Sequence, residues 1–424
     1  MNMTYKKSDL AHSELPLVFV MLALAFRPFC LSYLPDSNFE FINAAFLISF
    51  FIVSLLSILW VCLRGRLDYS LASIVAIGLV LILSTYAMSS ASAVLRNVRD
   101  AVCFIGLACF LSIYCKSKFQ VLARASFYLF LFYTICELAS IVLTDGQGLI
   151  PDQPVNARTF FFGGKNSIFM YGLLAVVSAI IWAQDKTKPV WKLLPTIISI
   201  AYCFMAQAVD SASSTIFFAL TAIVTLFWAT KRKPVRYGLC VFFLVVFFFL
   251  FFSVVVSQQT GIFGSLLEFV GRSSTFSGRT GLWNQAVEYV ASSPIFGSGA
   301  EMQYHLSRST VDHAHSFFLD GAAKYGLLYI GLIFADIIYV VLRGKRKRTS
   351  VLTATLTALL FLLLIHSQFD VLHFTIYIYI RAMLLHTQDI EMSADSHIHL
   401  RQPSMLQFSP TAYPSRNLMN NAQR

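Results

Sequence analysis

Two kinds of side chain in this sequence are suited to chemistry, and each is concentrated in a few places. In TVDHAHSFFLDGAAKYG, residues 310–326, Asp312, His313 and His315 gather just ahead of a new apolar run. An imidazole exchanges its proton near neutral pH, which suits it to general-base work on a hydroxyl, although a histidine at such a boundary also serves simply as an interface residue. The second kind is cationic. Arg279 opens RTGLWNQAVEYVASSP, residues 279–294. A guanidinium there is either a solvated interface cation or a clamp for phosphate, because its planar paired donors match anionic oxygens.

Composition dictates the elements that hold these groups. A chain of 424 residues that is 57% hydrophobic and 12% charged, with more Phe (40) than Asp plus Glu (21), is not an ordinary soluble domain. About 20 apolar residues cross the hydrocarbon core as a helix. Runs of that kind fall near 16–34, 41–63, 70–90, 100–115, 120–144, 166–184, 193–209, 213–230, 236–257, 314–343, 350–367 and 370–388. The expected fold is an all-α integral membrane protein of about twelve transmembrane helices, with one large periplasmic loop that carries a short amphipathic helix. A β-barrel is excluded because VFFLVVFFFLFFSVVV, residues 241–256, is continuously apolar instead of alternating. The first run is too long for a signal-peptide core and lacks a small-residue cleavage site, so it is read as the first helix.

Basic residues orient such a bundle, since short loops rich in Lys and Arg stay in the cytoplasm. With the N-terminus inside, alternate loops and the tail hold 22 of the 32 basic residues, including the clusters KRKPVR (231–236) and RGKRKR (343–348). Arg96, Arg99, Arg158, Lys165, Arg272, Arg279 and Arg308 fall outside, and Arg27, Lys324 and Arg381 lie within helical runs. The net charge of +11 therefore follows from anchoring and anionic lipid headgroups and calls for no nucleic-acid partner. The eight cysteines all sit in or beside helices, without disulfide or zinc spacing.

The organisation expected is helices over 1–257 with a smaller outer loop at 145–165, a large outer loop at 258–313, helices over 314–388 and a polar cytoplasmic tail at 389–424. The tail is polar and holds three prolines, which reads as disorder. Within the large loop, Leu282, Trp283, Ala286, Val287 and Val290 recur at helical spacing until Pro294 stops them. This predicts a helix over 280–292, capped by Ser277 or Thr280 and lying on the outer membrane face with Trp283 and Tyr289 at the interface. Gly297 and Gly299 in PIFGSGAEM (294–302) mark a sharp bend, with no strand before them to make a nucleotide site. The charged residues inside helical runs, Arg27, Glu137, Lys324, Asp336, Asp370 and Arg381, are expected to face the bundle interior as interhelical pairs or to snorkel. His366 and His373 are read as bland neighbours of the same outer end.

Taken in order, GRTGLWNQAVEYVASSPIFGSGAEM (278–302) and DHAHSFFLDGAAKYGLLYIGL (312–332) resemble the signature of the bacterial O-antigen ligase and polymerase superfamily. There an Arg-x-x-x-Trp helix leads to Pro-x-x-Gly-x-Gly, then to a His at the foot of the next transmembrane helix and a later Gly, here Gly326. ARTFFFGGKNSIFMYGL (157–173) is similar to a second pattern of that superfamily, with Arg158, Gly163, Lys165 and Asn166 at the corresponding places. The sequence departs from the pattern in two positions. Ser316 stands where Asn often follows the His, and Ser214 stands in DSASSTIFFAL (210–220) where a cation is common.

The resemblance implies transfer of a glycan from undecaprenyl pyrophosphate to an acceptor hydroxyl at the periplasmic face of the inner membrane. The acceptor is a growing glycan or lipid A-core. On this reading His315 is the catalytic base and Arg279 meets the leaving diphosphate, with Arg158, Lys165 and Arg272 as further pyrophosphate-binding cations. His313, Asp312 and Asp320 are supporting residues. Asp312 or Asp320 is placed to orient the imidazole, Asp320 also stands at i+4 to Lys324, and His313 points away from His315 if the segment is helical. No Asp-rich metal motif occurs in an outer loop, so no metal and no cofactor is expected and arginines take the place of magnesium. The partners implied are the lipid-linked donor, the acceptor, membrane lipids, and chain-length regulator or export proteins of polysaccharide. Polymerase is favoured over ligase by the GGKN stretch (163–166), and a lipid-linked-sugar transporter or flippase is the reading from another class.

Overall fold

The computed structural model describes residues 3–32, 37–64, 69–150, 153, 158–231, 237–256, 279–306, 309–346 and 350–392. Every apolar run expected from the sequence overlaps a helix. In chain order these are α1 (Met3–Ala25), α2 (Ser37–Leu63), α3 (Tyr69–Met88), α4 (Ala91–Ser117), α5 (Phe119–Leu143), α6 (Ser167–Trp182), α7 (Pro189–Ala208), α8 (Ala212–Ala229) and α9 (Tyr237–Leu250). After the short α10 (Arg279–Ser292) come α11 (Phe317–Arg346), α12 (Val351–His366) and α13 (Phe374–Leu385). Among the described residues eight helices are long and apolar enough to cross a membrane, joined by shorter apolar segments such as Val351–His366 and Phe374–Leu385. The protein is an all-α integral membrane protein. Two small antiparallel hairpins, absent from the sequence reading, decorate one end: β1 (Thr159–Phe160) with β2 (Gly163–Gly164), and β3 (Tyr304–Leu306) with β4 (Ser309–Val311).

The helices are fastened internally by a buried charge pair. Arg381 on α13 and Asp336 on α11 meet through two hydrogen bonds of 2.8 Å, from Nε to Oδ2 and from Nη2 to Oδ1. Tyr377 donates to Oδ2 at 2.6 Å, and Ser73 on α3 donates to Oδ1 at 2.6 Å. Arg381 also donates to the carbonyl of Ser70. Three helices thus share one satisfied polar knot, the condition on which charge is tolerated in an apolar interior.

A second fastening joins α11 to the turn after α10. At Gly326 the α11 backbone leaves the helical region, with φ +86° and ψ 169°. The break strands groups that an unbroken helix would pair, and the 294–299 turn takes them up. Ser298 N–H donates to Ala323 O at 2.7 Å, Gly299 N–H to Lys324 O at 3.1 Å, and Leu327 N–H to Pro294 O at 2.7 Å. Ser84 on α3 donates to Tyr325 O at 3.0 Å. The approach is so close that a Cβ on Gly326 would lie 1.9 Å from Ile295 O, and one on Gly297 would lie 2.4 Å from the Lys324 carbonyl. Broken helices often mark transporter sites. Here the gap is filled by the protein's own backbone.

The helix expected over 280–292 is present as α10, but its apolar face does not lie on the membrane surface. Leu282, Trp283 and Ala286 are buried against Tyr304, Ala314, Leu319 and Ala323. Trp283 is fully enclosed and its indole N–H donates to Ala314 O at 3.0 Å. A buried site that satisfies the indole donor removes the reason for an interfacial position. Tyr289 packs on Tyr304 and donates to Gln303 O at 3.3 Å. The predicted cap Ser277, and the tail from 393 onward, lie outside the described residues, while residues 387–392, where the tail was expected to begin, are still helical.

Two outcomes test these fastenings. Asp336→Asn alone is expected to destabilise the detergent-solubilised protein by about 3–5 kcal/mol, while the double change Asp336→Leu with Arg381→Met costs less than either single change, as read by thermal melting. Gly326→Ala is expected to cost at least about 2 kcal/mol through strain and overlap, whereas Gly331→Ala, with nothing within 4 Å of its Cβ, is neutral or stabilising.

Candidate functional site

The segment 312–316 is non-helical, and four hydrogen bonds hold it on both sides of His315. The Ala314 carbonyl accepts from Trp283, and Ala314 N–H donates to Asp320 Oδ1 at 3.1 Å. Downstream, Phe317 N–H donates to Ser367 O at 2.9 Å and to Asp370 O at 3.2 Å. Between these anchors His315 adopts φ +52°, a left-handed conformation that a non-glycine residue rarely takes. Its cost is of order 1–3 kcal/mol and persists only where the surroundings over-determine it. Such strain concentrates at working residues.

The bend aims His315 at a carboxylate the sequence reading passed over. His315 Nδ1 lies 3.9 Å from Asp370 Oδ1, an ion-pair distance and not a hydrogen bond. Asp370 sits in the 367–373 turn between α12 and α13, one of its oxygens accepting from Val371 N–H at 2.8 Å. Arg279, at the first residue of α10, donates to the carbonyl of Phe369 in the same turn. His366, at the end of α12, is buried between the rings of Phe169 and Phe217 at 4.6 and 5.2 Å. Among the described residues, several buried polar atoms here have no hydrogen-bond partner: His315 Nδ1, Ser316 Oγ, both His366 nitrogens, Gln368 Oε1 and Asp370 Oδ2. Native interiors leave few such atoms, and here six fall in two adjoining segments.

Electrostatics give these groups distinct states. Burial disfavours charge on Asp370, yet His315, His366 and Arg279 outweigh it and hold the carboxyl at about 2. Burial also pushes His315 below the ordinary histidine value, helped by Arg279 and His313 and opposed by Asp370. At neutral pH the pair is therefore an ionised carboxylate beside a neutral imidazole, the state a general base requires.

The remaining predicted residues divide. Asp312 is bound to His313, Oδ1 to Nδ1 at 2.7 Å, and this hydrogen bond holds it at about 2. Asp320 pairs with Lys324 at 3.0 Å, as the i+4 spacing indicates, and supports Ala314. Neither Asp312 nor Asp320 takes the orienting place beside His315, which belongs to Asp370. His313 does not point away: its ring lies 4.3 Å from that of His315, because the segment is not helical. Arg158 spends its guanidinium locally, donating to Gly146 O at 3.1 Å and Gln147 Oε1 at 2.6 Å. Lys165 is nearly buried, 3.6 Å from Asp210. The neighbouring Asn166 accepts from Ser211, whose hydroxyl also meets Ser214 at 2.8 Å. Lys165 therefore stands at the α8 foot where Ser214 brings no charge. Phe169, one turn into α6, and His366 are the link from this corner to Asp370. Arg272 lies outside the described residues.

Asp370 was assigned no chemistry from the sequence, and His366 and His373 were weighed as lining the same cavity but read as bland. Their signal was present in HSQFDVLH (366–373), a polar interruption between two apolar runs of the same kind as 312–320.

Part of the chain is similar to a known family. Residues 197–334 match the family described as O-antigen ligase. Over that part, about a third of its length, the chain is similar to the O-antigen ligase-like superfamily. The matched span runs from α7 to the middle of α11, so it contains Arg279, His315 and the Gly326 break but neither Arg158, Lys165 nor Asp370. No curated protein matches the chain. The match, together with these helices, supports a polysaccharide-related enzyme in a multi-pass bacterial membrane protein.

The pH dependence of activity follows from the two ionisation states. Because His315 is shifted down, activity should be full at pH 7 and fall only on acidification below the ordinary histidine value. Asp370→Asn removes the group that raises the His315 value, so the acid limb should move to still lower pH. The plateau rate should drop at least about tenfold, which needs only about 1.4 kcal/mol of lost transition-state stabilisation. A limb that stays in place in this variant would show that Asp370 does not act on His315.

Proposed function

We propose that this protein is an inner-membrane glycosyltransferase that takes an undecaprenyl-pyrophosphate-linked glycan at the periplasmic face and polymerises O-antigen or exopolysaccharide repeat units. The observation that carries the reading is the convergence of strained His315, Asp370 and Arg279 at one end of an apolar bundle. His315 takes the proton of the acceptor hydroxyl, and that oxygen attacks the anomeric carbon. The bond from this carbon to the diphosphate oxygen breaks, its electron pair leaving with the diphosphate. Attack from the face opposite the leaving group inverts the anomeric centre. Asp370 keeps the imidazole oriented and offsets the charge of the imidazolium that forms. Arg279 meets the charge that grows on the diphosphate, where a fixed cation in a water-poor site acts most strongly. Lys165, Arg158 and Arg272 supply further positive charge, and on this reading neither metal nor cofactor takes part.

A ligase that delivers the same glycan to lipid A-core is favoured by the family's own description, O-antigen ligase. The two activities share donor, base and leaving group and differ in the acceptor. Either would work beside chain-length regulator or export proteins of polysaccharide, with both termini in the cytoplasm.

Deletion of the gene, followed by gel display of surface glycans, separates the two readings. Single-repeat products identify a polymerase, and loss of lipid-attached glycan with build-up of polyprenol-linked chains identifies a ligase. Complementation with His315→Ala is expected to lower product formation by about 10²–10⁴, and with Arg279→Ala by about 10²–10³. Unchanged glycans in both strains would remove these residues from the reaction.

A further inference from the structure

The mechanism above uses the side of Asp370 that faces α10. The side toward α1 is built from a different set of groups. The turn after α1 carries Arg27, whose carbonyl accepts from the Tyr171 hydroxyl at 3.2 Å. Two residues on, the ring of Phe29 meets that of His373 at 4.6 Å, and Tyr171 lies 5.8 Å from the same imidazole. Cys30 N–H donates to Phe161 O at 3.3 Å, so the β1–β2 hairpin closes over this turn. His373 stands three residues after Asp370 and within electrostatic reach of both Asp370 and Arg27.

Arg27 is half-buried in this turn. Among the described residues its buried Nη1 has no hydrogen-bond partner, and the guanidinium makes no ion pair. Asp100, which is within its electrostatic reach, is occupied by Arg99, whose Nε and Nη2 both donate to Asp100 Oδ1, at 2.8 and 2.7 Å. A guanidinium stays charged even when buried, and a buried charge needs a counter-charge or hydrogen bonds. Structural arginines in this bundle obey that rule, as Arg381 does with Asp336.

We propose that Arg27 and His373 form a second anion subsite, on the α1 side of Asp370, that takes one phosphate of a lipid-linked diphosphate while Arg279 takes the other. The inference rests on the function proposed above and adds to it a reason for selecting a diphosphate over a monophosphate, since two separated cation positions match two phosphates.

The test measures binding of undecaprenyl pyrophosphate and undecaprenyl monophosphate to the full chain in nanodiscs, for the wild type, Arg27→Gln, Arg27→Lys and Arg279→Gln. Wild type should prefer the pyrophosphate by at least about tenfold, the scale of one charge-assisted hydrogen bond. Arg27→Gln should lose that preference by weakening pyrophosphate binding alone, and Arg27→Lys, which keeps charge and melting temperature, should restore part of it. Arg27→Gln binding both lipids like the wild type, or weakening both equally, overturns the second subsite and leaves the proposed function standing. Wild type that binds neither lipid overturns both.

Discussion

The break in α11 at Gly326 is the constraint on which the functional end depends. A helix in hydrocarbon satisfies its own backbone, and interrupting it strands carbonyl and N–H groups in a medium that offers no water. Those groups are satisfied here mainly by the 294–299 turn, through Ser298, Gly299 and Pro294, with Ser84 taking the Tyr325 carbonyl. That turn is the direct continuation of α10, so the break fixes α10 against the first turns of α11. Once α10 is fixed, Trp283 reaches Ala314 and Arg279 reaches Phe369. The strained position of His315 is thus a consequence of backbone hydrogen bonding a few turns away.

From that point the site follows from charge. Asp370 is the shared centre of a group of cations and imidazoles drawn from α10, α12, the start of α11 and the start of α13. A carboxylate so surrounded stays ionised although buried, and the histidine beside it stays neutral because burial and Arg279 outweigh the attraction of the acid. The same bundle contains a contrasting case in Arg381 and Asp336, where the two charges are matched and each carboxylate oxygen accepts two hydrogen bonds. One is a saturated knot, and the other keeps several buried atoms without hydrogen-bond partners among the described residues.

The corner at the feet of α6 and α8 has its own logic. Ser214 is buried and bonded to Ser211, while Lys165 approaches from the turn between β2 and α6 and pairs with Asp210. A cation is therefore present at that helix start, carried just ahead of α6 in place of α8. Side-chain reach lets adjacent helices exchange such a charge without moving the backbone, which is why a residue-by-residue pattern fails there while the local charge is kept.

The sequence alone determined the class and the ladder of helices, because hydrocarbon accepts only long apolar runs and these are visible without any long-range contact. It also determined the His315, Arg279 and Gly326 constellation, which lies within one short stretch of chain. Tertiary structure alone decided that α10 packs inward, that His313 and His315 lie together, and that Asp370 is the partner of His315. Residues 315 and 370 are brought together across two helices, and charged residues within apolar runs look alike in sequence whether they form a closed knot, as Asp336 does, or an open site, as Asp370 does. Which of the two a buried carboxylate becomes depends on how many donors the surrounding helices bring to it, and only their packing sets that number.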